Sequence, residues 1–92
     1  MTEIVVKIPA ALRAFSAGQG ELRAAPGTVA EVLRQLAQRH PPLVQRLLTP
    51  EGELRQFVNV FVGRANVRGL QGLATKVSAG EVMTILPAVA GG

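Results

Sequence analysis

A chain of 92 residues with 48 % apolar and 17 % charged side chains forms one globular domain with a modest core, and no apolar run nears the ~20 residues of a membrane-spanning helix. It has no cysteine, which excludes a disulfide framework, a thiolate nucleophile and a sulfur-ligated metal site; any sulfur chemistry must use sulfur brought by a partner. The formal charge of +4 rests on arginines scattered at Arg13, Arg23, Arg34, Arg39, Arg46, Arg55, Arg64 and Arg68, without aromatic interleaving or a binding motif, and this argues against nucleic acid as a primary partner.

The chain opens on an alternating strand, with Ile4, Val6 and Ile8 on one face and Glu3, Val5 and Lys7 on the other, ended by Pro9. A start that goes directly into a strand pattern lacks the basic leader and cleavage site of a signal peptide, so the expectation is a cytoplasmic protein. Residues 10–15 fit a turn of helix or a loop, with Leu12 and Phe15 available to cover the core. After a turn at residues 16–20, Glu21 to Ala24 makes a short second strand closed by Pro26 and Gly27, completing a hairpin with a long loop.

Thr28 begins the clearest helix. Thr28-Val29-Ala30-Glu31 matches a capping box, and Val29, Val32, Leu33 and Leu36 follow as one apolar stripe. The helix should stop by Arg39 or His40, because Pro41 disfavours α conformation in the residue before it. His40, the single histidine, fits a helix C-terminus better than a catalytic role. Residues 41–48 predict a shorter helix using Leu43, Leu47 and Leu48, and Thr49-Pro50-Glu51-Gly52 is a turn.

The third strand is Phe57-Val58-Asn59-Val60-Phe61-Val62. Burying an unpaired amide is costly, so Val58, Val60 and Val62 should face inward, and Phe57, Asn59 and Phe61 outward. Gly63 to Asn66 reads as a turn, Val67-Arg68 as a brief fourth strand, Gly69 to Leu73 as a tight connection and Ser78 to Glu81 as the last turn. The final strand places Met83 and Ile85 inward, Thr84 and Leu86 outward. The candidate core is Ile4, Val6, Ile8, Val32, Leu33, Leu36, Val58, Val60, Met83 and Ile85. The order of elements implies an α+β fold, a mixed sheet with the helix across one face and the first and last strands adjacent and parallel.

The last strand leads into Pro87-Ala88-Val89-Ala90-Gly91-Gly92. Proline cannot donate to a ladder, so the strand should end near Leu86 and release Ala88, Val89 and Ala90 as an extended stalk. Glycines without Cβ permit close backbone approach in a narrow channel, so Gly91 and Gly92 suit a tail that presents a carboxylate. The expected division is a folded domain over residues 1–86 and a flexible tail over residues 87–92.

The stretches F-V-N-V-F-V (Phe57 to Val62), G-L-A-T-K-V (Gly72 to Val77) and V-M-T-I-L-P-A-V-A-G-G (Val82 to Gly92) together resemble the MoaD/ThiS family of ubiquitin-like sulfur carrier proteins, most of all the CysO type of cysteine biosynthesis. The resemblance is dense over residues 57–92 and thinner, mainly in spacing, over Val5 to Arg13 and the helix. Members often carry acidic turns before and after the fourth strand. Here those positions read Gly63-Arg64-Ala65-Asn66 and Ser78-Ala79-Gly80-Glu81, which puts the surface charge of the matching activating enzyme in question.

The resemblance implies a β-grasp, ubiquitin-like fold with a mixed sheet of four to five strands and one main helix across it. It also implies a carrier rather than an enzyme. A ubiquitin-activating-type adenylating enzyme would use ATP to adenylate Gly92, and a sulfur donor would displace AMP to leave a thiocarboxylate; no cofactor would be bound by the chain itself. The acceptor would be a cysteine synthase or the large subunit of a molybdopterin synthase, with thiamin and tRNA thiolation as other destinations and a JAB-type metalloprotease as a further partner. Phe57, Asn59, Phe61 and Leu86 would form the partner-docking face, with no membrane involved. No catalytic set, metal-ligand cluster or phosphate loop is visible. A ubiquitin-like modifier conjugated to lysines through Gly92 and a non-catalytic interaction module are the alternative classes.

Overall fold

The computed structural model describes residues 3–87. Strand β1 (Ile4–Lys7) pairs antiparallel with β2 (Glu21–Ala24), Ile4 opposite Ala24 and Lys7 opposite Glu21. Alternation acts as expected: Ile4 and Val6 are fully buried and Lys7 is exposed. The connection between the two strands is a 3-10 segment, Ala10–Phe15, followed by a tight turn in which Ala17 and Gly18 both take positive φ. Ser16 is fully buried there, its hydroxyl donating to the Gln19 carbonyl at 2.7 Å.

A two-residue strand β3 (Gly27–Thr28) precedes the main helix α1 (Val29–Arg39). The capping box forms in full: Thr28 Oγ1 accepts from the Glu31 N–H at 3.1 Å, and Glu31 Oε1 accepts from the Thr28 N–H at 2.8 Å. Val29, Val32, Leu33 and Leu36 are completely buried, each burial stabilising the fold by roughly 1.5–3 kcal/mol. His40 closes α1 by donating its backbone N–H to the Leu36 carbonyl, and its own carbonyl accepts from Leu43 at the start of α2 (Pro41–Leu47). Its role here is a backbone one. Helix α2 buries Leu43, Val44 and Leu47, while Leu48 is half-buried.

After the turn at Thr49–Gly52, where Gly52 takes φ 84° and donates to the Thr49 carbonyl, strand β4 (Val58–Val62) begins one residue later than expected. Phe57 therefore stands in the turn that leads into the strand. The fourth strand also differs from expectation. Gly63 and Arg64 alone make the turn, and β5 (Ala65–Asn66) pairs back on β4 with Val62 opposite Ala65. Gly63 has φ 60°, the positive value that the first central position of a two-residue hairpin of type II′ requires. Val67-Arg68, read from sequence as the strand, lies in a 3-10 turn (Val67–Gly69) in which Asn66 Oδ1 accepts from the Arg68 N–H; that side-chain cap draws the backbone away from the ladder.

A second 3-10 turn (Gly72–Ala74) leads to β6 (Lys76–Val77), which pairs antiparallel with β3 as a separate two-stranded sheet. The Val29 N–H donates to the Thr75 carbonyl at 2.9 Å, so this small sheet fastens the start of α1 to the segment before the last strand. Strand β7 (Val82–Pro87) then runs through the middle of the main sheet, whose order is β2-β1-β7-β4-β5. It is parallel to β1 and antiparallel to β4, so the sheet is mixed and five-stranded. With α1 packed across one face, this is the β-grasp architecture. All ten candidate core residues are buried, and Leu22, Ala24, Val29, Leu43, Val44, Leu47, Val62, Val67 and Val77 join them.

Candidate functional site

The site is organised by the exit of β7. A central strand is held on both sides: Val6 stands opposite Met83 on the β1 edge, and Val60 opposite Ile85 on the β4 edge. Met83 and Ile85 are completely buried, so β7 is a rigid base up to Pro87. Pro87 itself is still in the ladder, opposite Val58, one residue beyond the expected stop at Leu86. A proline is tolerated there because the strand ends at that point and no further ladder donor is needed. Ala88, Val89, Ala90, Gly91 and Gly92, the expected stalk and reactive end, lie outside the described residues.

The expected docking residues divide into two groups. Asn59 and Leu86 are register partners across β4 and β7, and Phe61 is opposite Thr84, all on the sheet face away from α1. Leu86 is 44 % exposed, whereas Asn59 and Phe61 are half-buried. Asn59 Oδ1 accepts from Asn66 Nδ2 at 3.3 Å, which satisfies the amide oxygen on this outer face as the cost of an unpaired amide requires. Phe57, 58 % exposed, is set apart at the end of the sheet, where it lines a cleft with Leu12, Arg46, Arg55, Val58 and Pro87. The structure thus joins Phe57 to the tail exit rather than to the middle of the strand face.

The cleft has a basic rim that scattered arginine positions do not reveal in sequence. Arg46 from α2 lies 4.4 Å from the centre of the Phe15 ring, within the range of a cation–π contact. Arg55 donates through Nε to the Gln45 carbonyl at 3.1 Å, and Arg68 donates through Nη2 to the carbonyls of Arg55 and Val58, each at 2.7 Å. Residues far apart in the chain therefore converge on the start of β4, and only the fold brings them together.

Polar groups outside this site are committed to structure. The Ser16 and Thr75 hydroxyls, both buried, bond to neighbouring backbone. The Glu31 carboxyl is held below its ordinary value, chiefly by the Thr28 backbone N–H, then by the Thr28 side chain, with Arg34 adding to the effect. Among the described residues no group of three or more His, Asp or Glu side chains is placed to hold a metal ion, and no helix is long and apolar enough to cross a membrane.

Comparison with known proteins bears on the whole chain. The ThiS family model matches residues 6–92. The sulfur carrier protein CysO of Mycobacterium tuberculosis is 40 % identical over 91 residues, covering 97 % of this chain and 98 % of that protein. Among solved structures, the Amycolatopsis orientalis BexX/CysO complex contains a chain 39 % identical with a TM-score of 0.89, covering 97 % of this chain and 99 % of that one. Small archaeal modifier protein 1 from Methanosarcina acetivorans is 33 % identical with a TM-score of 0.82, covering 100 % of this chain and 98 % of that one.

Proposed function

The chain belongs to the ThiS family, and from that premise we propose that it is a sulfur carrier whose C-terminal Gly92 is adenylated and converted to a thiocarboxylate. The observation that carries this reading is the position of β7: the strand that leads to the tail is the central one, locked by β1 and β4, and its last residue, Pro87, lines an apolar cleft. A carrier needs a rigid body with one reactive end, and this arrangement supplies it. The near-complete overlap with proteins named as sulfur carriers supports the same conclusion.

In the proposed reaction a partner adenylating enzyme of the ubiquitin-activating type uses ATP. The Gly92 carboxylate oxygen attacks the α-phosphorus, pyrophosphate leaves, and the acyl-adenylate becomes a competent electrophile. A sulfur donor then attacks the carbonyl carbon and AMP departs, leaving a C-terminal thiocarboxylate. The chain acts as carrier and substrate rather than as the catalyst. Phe61, Asn59 and Leu86 on the strand face, with Phe57 at its end, dock the partners. Exposed apolar groups rimmed by polar ones mark interfaces, and aromatic side chains anchor them. The acceptor is a cysteine synthase or a molybdopterin synthase large subunit, and the setting is the cytoplasm; the 40 % identity to CysO favours the first acceptor. The test is pyrophosphate exchange: with the partner enzyme and ATP, the intact chain supports exchange into ATP and a variant lacking Gly91 and Gly92 supports none. Equal exchange by both contradicts the reading.

A second reading, a ubiquitin-like modifier, is favoured by the likeness to small archaeal modifier protein 1. It requires an isopeptide bond from Gly92 to a lysine, and higher-mass conjugates in cells would reveal it.

A further inference from the structure

We propose that the cleft beside the exit of β7, walled by Leu12, Phe57 and Pro87 and rimmed by Arg46 and Arg55, docks an acidic segment with apolar side chains, carried by the enzyme that handles the tail. Three observations converge on this occupant. The first is charge. Among the described residues the one ion pair joins Lys7 to Glu21, so the guanidinium groups of Arg46 and Arg55 carry no carboxylate from within the described fold. Glu51 and Glu53, on the neighbouring turn, are exposed and make no ion pair with either arginine. Glu3 and Glu81 lie at the opposite end of the main sheet, where β1 and β7 begin, and Glu31 sits at the start of α1.

The second observation is preorganisation. Arg46 is held over Phe15, Arg55 is tied through Nε to Gln45, and Arg55 also fixes the loop by donating its backbone N–H to the Leu47 carbonyl at 2.9 Å. Gln45, Arg46 and Arg55 together line a polar hollow that adjoins the apolar cleft through the two shared arginines. Side chains already fixed lose less freedom when a partner binds, and that raises affinity. An apolar floor beside fixed guanidinium groups matches a segment that alternates acidic and apolar side chains, because carboxylates meet the guanidinium forks in good geometry.

The third observation is continuity with the tail. Pro87 is both a wall of the cleft and the last residue before the segment that carries Gly92, so the cleft adjoins the base of the segment that such an enzyme engages. This inference rests on the sulfur-carrier reading for the identity of the partner, but the chemistry of the cleft is testable apart from it. In a nuclear magnetic resonance titration of the full chain, an acetylated, amidated peptide of alternating glutamate and leucine should shift the amides of Leu12, Arg46, Arg55 and Phe57, and added salt should weaken the effect. The glutamine counterpart should leave them unmoved. Equal shifts with the glutamine peptide, absence of cleft shifts, or tighter binding of an oligouridylate at the same residues each overturn the proposal.

The second arm uses the adenylating enzyme. The double variant Arg46→Glu, Arg55→Glu should raise KM for the chain by about tenfold or more with kcat nearly unchanged, since like charges brought together are strongly unfavourable. Arg46→Lys, Arg55→Lys should recover most of the loss. Arg23→Glu, Arg34→Glu, an equal change of net charge at two exposed positions away from the cleft, should leave KM unaltered. An unchanged KM in the first variant, with the wild type adenylated normally, overturns the docking proposal alone. Failure of the wild type to be adenylated, with the peptide still bound at the cleft, overturns the carrier reading instead.

Discussion

Thr28, Glu31 and Gly27 act as one unit at the start of α1. The two reciprocal hydrogen bonds satisfy donors that the first turn of a helix leaves without partners, and a Cβ at Gly27 would lie 2.7 Å from Glu31 Oε1. Glycine there leaves room for the carboxylate to reach back. Thr28→Ala should cost about 1 kcal/mol in urea denaturation, and a loss near zero would show that the cap contributes nothing. The pH dependence follows from the same contact. The Glu31 carboxyl is held below its ordinary value in the folded protein, so its contribution is present above the unfolded value and is lost as pH falls through the folded one. Glu31→Gln keeps an acceptor oxygen without the charge. The stability gap between wild type and this variant should therefore narrow between about pH 7 and about pH 3; a gap independent of pH contradicts the assignment.

At the scale of elements, β4 and β7 carry both part of the core and the proposed docking face. Val60 and Ile85 are register partners and fully buried, so Val60→Ala or Ile85→Ala should each cost roughly 2–4 kcal/mol by loss of transfer energy and cavity formation. Losses well below 1 kcal/mol at both would reverse the two faces. The same alternation puts Phe61 on the opposite face, and Phe61→Ser should weaken binding to the adenylating enzyme by about 2 kcal/mol, measured by calorimetry. Phe61 is already partly buried, so some stability is lost as well; unfolding of the variant would assign Phe61 to packing. These elements were legible in sequence because four or more alternating residues, or a capped apolar stripe, leave a strong periodic signal. The pairs β3 with β6 and β4 with β5 were not, since two residues carry no period. Val67-Arg68 was misassigned because the Asn66 side chain caps a 3-10 turn at that point, a local contact that competes with the ladder. The basic rim of the cleft was invisible because Arg46 and Arg55 come from separate elements and meet through packing alone.

For the whole molecule, the account is that a rigid β-grasp body delivers one reactive carboxylate. The body follows from the burial of nineteen core side chains among the described residues, around α1 and the five-stranded sheet, and the proposed delivery rests on β7, the strand that precedes the tail, being the central one. The sheet makes β7 hard to displace, because pulling it out would break its ladders with both β1 and β4. Residues 88–92 read in the sequence as small residues after a proline and lie outside the described residues; the function proposed for them rests on the resemblance of residues 57–92 rather than on any periodicity. The most direct test is intact-mass analysis of the chain after incubation with its adenylating enzyme, ATP and a sulfide source, followed by fragmentation to locate the change. The account predicts one oxygen replaced by one sulfur at Gly92, and an unchanged mass with an enzyme proven competent, or a change located elsewhere in the chain, would contradict it.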